Sequence, residues 1–300
     1  MRRLFISFSF GETSAWMTRL LLTRWRDRYD EIVVAFANTA QEREETLVFG
    51  HRCDQEFDFG TVWVEAVVDP EKGAGTRHRV VTFETASRNG EPFEAVIRKY
   101  GLPGAKASHC TRELKSRALT SYLRSIGWEA GTYDTAIGMR ADEQDRRDGG
   151  AAKTRTIYPL MDWFPVTKPH VNEFWMKQPF RLNLTGYQGN CKWCWKKSMR
   201  KHMTLLSEDP TIYDFPERME ELYGRVGPSF EKDVVPAKPL VFFRGGLSTK
   251  DLRAAYELNK GSLALAEDDS IVLPNGDLFP LDVEEGGCVE TCEVNLEEAA

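Results

Sequence analysis

The sequence lacks the features that mark membrane and secreted proteins. No stretch approaches the about 18 consecutive apolar residues that a membrane-spanning helix needs. The first residues are charged and then apolar, but Ser7, Ser9 and Gly11 interrupt them too early for a secretory signal peptide. We therefore expect a cytoplasmic protein with no membrane partner.

The chain also lacks a net positive charge and a clear nucleophile motif, and it has few cysteines. The net charge is −6, so the total charge does not indicate a broad nucleic-acid-binding surface, although residues 192–201 form a local basic patch. The chain has no convincing Ser-His-Asp set and no internal repeat. Its six cysteines, in a chain expected in the cytoplasm, point to metal or redox chemistry more than to a disulfide framework.

The chain does contain alternating strand and helix patterns over its first half. Short apolar runs, bounded by turn residues, predict strands buried on both faces, and apolar residues at helical spacing follow them. The predicted strands are 3–8, 31–37, 61–68 and 134–139, and the predicted helices are 15–24, 39–57, 92–100 and 111–126. This order predicts an α/β fold with a Rossmann-like, doubly wound and mostly parallel sheet.

A change in composition predicts two regions. Tryptophan, proline and basic residues become dense after residue 156. We place a boundary near residue 155, between a nucleotide-binding α/β domain (1–155) and a C-terminal region (156–300) that is rich in Cys and Trp and ends in an acidic tail.

The loop after the first strand has the composition of a phosphate-binding loop. Backbone N–H groups of a strand-to-helix loop and of the helix N-terminus point toward one spot, and Gly11 lets a phosphate approach the backbone. Ser7, Ser9, Thr13 and Ser14 add hydroxyl groups. The loop lacks the Gly-Lys-Ser/Thr ending of a Walker A motif. The alternative is an ordinary strand-to-helix turn with serine caps.

A family resemblance sharpens this interpretation. The segment Ser9-Phe10-Gly11-Glu12-Thr13-Ser14 resembles the PP-loop of the adenine nucleotide alpha hydrolase superfamily, whose usual form is Ser-Gly-Gly-Lys-Asp-Ser. Residues 7–11 are similar to the Ser-Ser-Ser-Phe-Gly loop of phosphoadenylyl-sulfate (PAPS) reductases. Glu12 stands where the ATP-cleaving relatives carry lysine, which favours a sulfonucleotide over ATP.

Three further segments resemble the same family in the same order. Residues 36–42 are similar to Phe-Ala-Asp-Thr-Gly-x-Glu, residues 110–117 to the Cys-x-x-Arg-Lys segment, and residues 138–147 to Gly-x-Arg-x-x-Glu-Ser-x-x-Arg. The resemblance covers about half of the chain and implies an adenine nucleotide (PAPS, APS or ATP) as substrate. The residues that it implies for nucleotide binding are Ser7, Ser9, Phe10, Gly11, Thr13, Ser14, Asn38, Thr39, Arg112, Lys115 and Arg140. Helix capping by Asn38 and Thr39, and a solvated basic face for Arg112 and Lys115, are the alternatives.

The cysteines at 191 and 194 form a Cys-x-x-Cys hook. Two thiolates at this spacing can share one metal ion or cluster. Assimilatory adenylyl-sulfate (APS) reductases carry a 4Fe–4S iron–sulfur cluster on a Cys-Cys pair followed by such a hook, and this chain resembles them with Cys110 preceded by His109. The resemblance implies a cluster on Cys110, Cys191 and Cys194. The fourth ligand is left open among His109, Cys288, Cys292 and a non-protein group, and zinc is the competing metal.

The acidic tail contains the remaining pair of thiols. Sulfonucleotide reductases attack sulfur with a cysteine from a C-terminal segment, so the resemblance implies Cys288, and Cys292 beside it, as catalytic candidates. The surrounding segment does not match the family's Glu-Cys-Gly-Leu-His, and a metal-binding or an inert role for these thiols is the alternative.

Three functions follow from these features. The first is a sulfonucleotide reductase-like oxidoreductase that forms sulfite and AMP or its 3′-phosphorylated form, with a thioredoxin- or glutaredoxin-type reductant as partner. The second is an ATP-dependent sulfurtransferase that modifies tRNA or DNA, for which the basic, tryptophan-rich residues 190–201 would contact nucleic acid. The third is a non-catalytic nucleotide-binding protein with a structural zinc site.

Overall fold

A six-stranded sheet forms the centre of the structure. The computed structural model describes residues 1–71, 73–104, 108–227, 238–268 and 270. The strands are β1 (Arg3–Ser7), β2 (Glu31–Asn38), β3 (Val62–Val68), β4 (Thr76–Val81), β5 (Asp134–Ala136) and β6 (Thr156–Ile157). Their order across the sheet is β4-β3-β2-β1-β5-β6. Every neighbouring pair is parallel except β3 and β4. The predicted mostly parallel α/β sheet is confirmed.

Helices cover both faces of the sheet. They are α1 (Glu12–Thr23), α2 (Glu44–Phe57), α3 (Glu91–Tyr100), a π-helix (Cys110–Arg117), α4 (Ala118–Ser125), α5 (Pro159–Asp162), α6 (Lys168–Met176), α7 (Met199–Glu208), α8 (Asp214–Tyr223) and α9 (Thr249–Asn259). Apolar residues of α1, α2 and α6 pack with one face of the sheet. Those of α3, the π-helix and α4 pack with the other face, where α7, α8 and α9 add a further layer.

The alternation of side chains along β1 explains the two cores. Leu4 and Ile6 point to the core that contains α1 and α2, whereas Phe5 points to the opposite core, and all three are fully buried. Burial of a side chain of this size stabilises the fold by about 1.5–3 kcal/mol. A strand that is apolar at every position therefore specifies a sheet with helices on both sides.

Several elements differ from the sequence-based prediction; for example, α1 begins at Glu12 and not at residue 15, and β5 ends at Ala136 and not at residue 139. Strand β4 was not predicted, because its sequence Thr-Arg-His-Arg-Val-Val lacks an apolar run and it lies at the sheet edge, antiparallel to β3. Helix α2 begins at Glu44 and not at residue 39, since residues 39–43 are not helical and Glu42 forms a short bridge with Cys191. The predicted helix 111–126 begins as the π-helix and continues as α4. A π-helix of this length is rare, and π-bulges often lie at functional sites.

The region after residue 155 contributes to the same sheet. Strand β6 begins at Thr156 and pairs with β5 in parallel, through Thr135–Thr156 and Ala136–Ile157. The boundary near residue 155 stays a prediction, and the sheet itself continues across it. No helix within the described residues combines the length and apolar character needed to cross a bilayer.

Candidate functional site: the carboxyl edge of the sheet

The loop after β1 is held by an aromatic anchor. Phe10 has a positive φ of 60°, which is uncommon for a residue other than glycine. Its ring is fully buried and stacks on Phe36 with the ring centroids 3.6 Å apart. Gly50 on α2 makes room for this ring, because a β-carbon there would lie 2.4 Å from it. The Phe10 side chain is therefore part of the core, and Phe10 contributes only its backbone to the loop.

The serines of the loop bond to one another. The Oγ atoms of Ser9 and Ser14 are 2.9 Å apart, and Ser14 Oγ also donates to the Gly11 carbonyl at 3.0 Å. Residues 10–14 are buried, while Ser9 and the β1 residue Ser7 are half-buried. The predicted loop thus lies at the carboxyl end of β1, but most of it is covered.

The end of β5 packs directly against this loop. A β-carbon on Gly138 would lie 2.8 Å from the Ser14 α-carbon, so only glycine fits there without a shift. Arg140 is 6% exposed, and its Nη1 lies 3.4 Å from Thr13 Oγ1. Its guanidinium also pairs with Asp142 at 3.0 Å and with Glu143 at 3.6 Å. The structure brings the first and fourth predicted segments together, with the Arg140 charge neutralised by two carboxylates.

Asn38 and Thr39 end β2 within a buried polar network. Asn38 Nδ2 donates to Glu65 Oε1 at 2.7 Å and to the Ser87 carbonyl at 2.8 Å. The backbone N–H of Thr39 donates to Glu42 at 2.9 Å, and its hydroxyl bonds to the same carboxylate. Both predicted residues are almost inaccessible to solvent, and their side chains have structural partners.

Arg112 and Lys115 lie on the π-helix, near the carboxyl end of β3. The fully buried carboxylate of Glu113 accepts a hydrogen bond from Arg112 Nε at 2.9 Å and from Thr76 Oγ1 at 2.5 Å. Arg112 Nη2 lies 3.2 Å from His109 Nδ1. Burial, and then the Arg112 charge, lower the pKa of His109. The Arg112 side chain therefore bonds to its own helix and that helix's N-cap, at Glu113 and His109. Lys115, on the same helix, is half-buried.

The Cys-x-x-Cys hook docks on the turn that follows β2. Cys191 forms a short antiparallel bridge with Glu42, and the Lys192 N–H donates to the Gln41 carbonyl at 3.0 Å. Trp193 Nε1 donates to Gln41 Oε1 at 2.5 Å. The Trp193 ring, 1% exposed, belongs to the hydrophobic cluster against which Cys110 packs. The hook thus lies at the same edge of the sheet as the loop.

A buried lysine, Lys197, bonds to backbone carbonyl oxygens at and before the Cys-x-x-Cys hook. Lys197 is 3% exposed, and its Nζ donates to the carbonyls of Gln188 at 2.6 Å and Cys191 at 3.1 Å. Lys197 belongs to the basic patch at 192–201, and its observed partners are these two carbonyl oxygens.

The side chains expected to hold a metal centre do not form a ligand set among the described residues. Within the described parts of the chain, no three His, Cys, Asp or Glu side chains lie together as the ligands of one metal ion. Cys110 and Cys191 are half-buried and Cys194 is buried. The described arrangement of Cys110, Cys191, Cys194 and His109 is therefore not a ready ligand set for an iron–sulfur cluster or for zinc. The catalytic candidates Cys288 and Cys292 lie outside the described residues.

A segment that sequence analysis missed covers the loop. Asn190 Nδ2 donates to the Ser9 carbonyl at 2.9 Å, and the Asn190 carbonyl accepts from the Arg43 N–H at 2.8 Å. Trp175 Nε1 donates to the Glu12 carbonyl at 2.9 Å. A small hollow remains between the loop and this cover, with an accessible volume of about 10 Å³, which is roughly the space of one water molecule. Its lining residues are Glu12, Arg181, Leu182, Leu184, Thr185, Gly189, Asn190 and Ser270.

The sequence signals for this cover were weak. Residues 181–190 carry no recognisable motif, and their position over the loop depends on contacts across more than 160 residues, such as that of Arg181 with Glu12. Glu12 gave no sign of Arg181, because the helix dipole already favours an acidic residue in the first turn of α1.

Comparison with known proteins gives one full-length similarity. No protein-family model matches the chain. The chain is 27% identical over 294 residues to the uncharacterized nin region protein ORF290 of Escherichia phage lambda. The alignment covers 96% of this chain and 94% of the phage protein. The similarity therefore spans both the sheet and the region after residue 155. The name of the phage protein states no activity.

Proposed function

We propose that this chain binds an adenine nucleotide at the carboxyl edge of its sheet and acts as a sulfonucleotide reductase-like enzyme of the adenine nucleotide alpha hydrolase superfamily. The observation that carries the proposal is the strand order. The chain moves outward from β1 through β2 to β3, and then returns to place β5 on the other side of β1. Ligands of doubly wound sheets bind at such a reversal, and the loop at 9–14 and Gly138 meet there.

The charges of the loop favour a sulfonucleotide over ATP. The first turn of α1 contains Glu12, whose carboxylate is already paired with Arg181. This pair brings no net positive charge, whereas the triphosphate tail of ATP would need several cations. A single sulfate or phosphate group requires less compensation.

The proposed reaction follows thiol chemistry. A cysteine thiolate, for which Cys288 is the candidate, attacks the sulfur of the adenylyl sulfate. A sulfur–sulfur bond forms, the bond from sulfur to the phosphate oxygen breaks, and AMP or its 3′-phosphorylated form leaves. A dithiol protein of the thioredoxin or glutaredoxin type then attacks the cysteine sulfur, and its oxidation to a disulfide releases sulfite and restores the thiol.

The proposal keeps one further prediction, an iron–sulfur cluster on Cys110, Cys191 and Cys194. Zinc is the competing metal. When bound, a cluster would add a local charge and anchor the hook beside the nucleotide. No step of the reaction above passes through it, because the described side chains do not form a ligand set.

The test is a comparison of substrates on the full chain, purified without oxygen. We expect binding of APS or PAPS by calorimetry, and release of sulfite when a thioredoxin-type donor is present. Pyrophosphate release from ATP, without sulfite release, would contradict the proposal and favour the ATP-dependent sulfurtransferase acting on tRNA or DNA. Nucleotide binding without turnover of any of these compounds would favour the non-catalytic alternative.

A further inference from the structure

Four arginines, in and just after α1 and in α2, lie over aromatic rings. Arg28 lies over the rings of Trp163 and Trp25, with its Cζ 4.6 Å and 5.8 Å from their centroids. The Cζ of Arg24 lies 5.7 Å from the centroid of Phe164. A cation within about 6 Å of a ring centroid is attracted by the ring face, so these contacts favour one position for each guanidinium.

The same arrangement continues along α1 and onto α2. Arg19 lies over the rings of Phe57 and Phe174, with its Cζ 4.8 Å and 5.4 Å from their centroids. Arg52 on α2 lies over the Phe180 ring at 4.5 Å. Each of the four guanidinium groups is thus held by at least one ring.

Ring-to-ring contacts connect these positions. Trp16 stacks on Phe174 with the centroids 4.7 Å apart, and it meets Phe164 edge-on at 5.8 Å. Trp25 meets Trp163 edge-on at 5.5 Å. All five rings are half-buried and pack against the core on the α1 side of the sheet. We call the four arginines and these rings the arginine–aromatic strip.

The positive charges of the strip are not neutralised within the part of the chain that the structure describes. No carboxylate there forms a salt bridge with any of the four arginines, whose guanidinium groups contact rings instead. By comparison, Arg98 and Arg218 also lie over rings, those of Tyr223 and Phe215, but both pair with Glu94. The strip therefore attracts a polyanion although the net charge of the chain is −6.

The chemistry of the strip favours a single strand of nucleic acid among the polyanions. Unpaired bases stack on aromatic rings and on arginine planes, and the strip offers both surfaces. The N–H groups at the edge of a guanidinium match the oxygens of a phosphate for two-point hydrogen bonding. A duplex keeps its bases inside and would use the charges alone. A lipid surface would need rings that insert their apolar faces, and here cations lie over those faces.

We propose that the arginine–aromatic strip binds single-stranded nucleic acid, with phosphates on Arg24 and Arg28 and bases on the rings and arginine planes beside them. The sequence placed a possible nucleic-acid contact at residues 190–201, but Trp193 and Trp195 of that region belong to the core on the other side of the sheet. The strip is therefore a different surface. Binding there requires neither the nucleotide site nor the reductase reaction.

The test measures, by fluorescence anisotropy, the affinity of the full chain for a labelled single strand of about 16 nucleotides, as DNA and as RNA. Arg24 and Arg28 are exposed, so their substitution should leave the fold intact. We expect Arg24→Gln/Arg28→Gln to weaken binding by about 10-fold or more at low salt. The slope of log affinity against log salt should become shallower by about 1.4, since a single strand contributes about 0.7 for each phosphate contact.

The matched control is Arg98→Gln/Arg218→Gln. It removes the same charge from two exposed arginines that also lie over rings, but whose charges Glu94 compensates. We expect it to change the affinity by less than about twofold, because salt screens charges that lie outside the binding surface. Equal losses in the two double variants would overturn the proposal, since the effect would then come from the net charge.

A charge-conserving variant separates stacking from charge. Arg24→Lys/Arg28→Lys keeps both charges and loses the planar guanidinium groups. We expect the wild-type salt dependence and an affinity that is lower by about fivefold or more, the effect of losing one stacked base. Wild-type affinity in this variant would contradict the proposal, because charge alone would then explain the binding.

The duplex of the same sequence, and vesicles of phosphatidylserine and phosphatidylcholine, test the other partners. Tighter binding of the single strand than of the duplex supports the proposal, and a preference for DNA or RNA identifies the strand. Tighter binding of the duplex, binding of the vesicles alone, or no binding of any of these probes would refute it. Strand binding through the strip without sulfite release from APS or PAPS would support the strip and refute the proposed function.

Discussion

Gly138 lies so close to Ser14 that a β-carbon at position 138 would come within 2.8 Å of the Ser14 α-carbon. Gly138 lies in the loop that follows β5, and Ser14 lies in the first turn of α1, which follows the neighbouring parallel strand β1. Their contact lies at the point where the strand order reverses. This contact, more than any single polar side chain, gives the candidate site its shape.

The contact predicts the effect of Gly138→Ala. The added methyl group meets backbone and not a flexible side chain, so we expect a loss of about 1–3 kcal/mol in the free energy of unfolding. We also expect weaker nucleotide binding, because the loop at 9–14 must move. Urea denaturation and calorimetry measure the two effects. Gly149→Ala is the control, since a β-carbon there meets nothing within 4 Å. Equal stability of the two variants would show that the two loops are not packed together.

The hydrogen bond between Trp193 of the hook and Gln41 predicts an energetic coupling between these two residues. Trp193→Phe keeps most of the ring but leaves Gln41 Oε1 without its donor in a buried place, at a cost of about 1–3 kcal/mol. Trp193→Ala should cost about 3–5 kcal/mol, because the ring packs against Phe93, Phe215 and Phe242. A double-mutant cycle of Trp193→Phe with Gln41→Ala isolates the hydrogen bond. Additive effects would mean that this bond does not connect the hook to the end of β2.

A buried histidine predicts a pH dependence of stability. His202 is 2% exposed, and its Nδ1 lies 2.7 Å from the Tyr213 hydroxyl. Burial, with the charges of Lys197 and Arg244, lowers the pKa of His202 from 6.5 to about 3. The unfolded chain therefore binds the proton more readily than the folded chain between these two pKa values. The contribution is fully present above pH 6.5 and is lost as the pH falls toward 3.

Urea denaturation between pH 7.5 and pH 4.5, a window of about three pH units around the ordinary histidine pKa, measures this effect. We expect the free energy of unfolding of wild type to fall more steeply over this range than that of His202→Gln. His170→Gln, at an exposed position, is the control and should keep the wild-type slope. Parallel curves for wild type and His202→Gln would show that His202 titrates normally.

The cysteines predict the metal content. Protein purified without oxygen should contain iron and acid-labile sulfide and absorb visible light, and Cys194→Ser should lower all three signals. Cys53→Ala is the matched control: Cys53 is fully buried in the other core, and burial raises the pKa of its thiol, so it should not contribute. A colourless, iron-free protein with one bound zinc would exclude the cluster and favour the structural metal.

The proposed role of the tail cysteines predicts that a substitution can abolish turnover without weakening substrate binding. Cys288→Ser should abolish sulfite release and leave the affinity for APS or PAPS unchanged, because a serine hydroxyl is a far weaker nucleophile than a thiolate. Cys292→Ser tests whether the second thiol contributes. Full turnover by both single variants and by the double variant would remove the tail thiols from the mechanism.

The sequence by itself determined the sheet and the position of the loop. Residues 4–6 of β1 and 32–37 of β2 are apolar at every position, and such runs are stable as strands only between two layers of helices. The loop at 9–14 follows directly, because a parallel sheet places the end of β1 beside the end of β5. These conclusions depend on neighbours in sequence and on the period of apolar residues, which are visible in the chain.

Only the tertiary structure decided what surrounds the loop. Arg181 reaches Glu12 and Asn190 reaches Ser9 across most of the chain, and neither contact leaves a local pattern, because a hydrogen bond between distant segments constrains one residue at each end. The same reason explains Asn38 and Arg112: each fits a nucleotide-binding pattern in sequence, yet Glu65 and Glu113 occupy their side chains in the fold. The edge strand β4 was missed since a strand exposed on one side needs no apolar run.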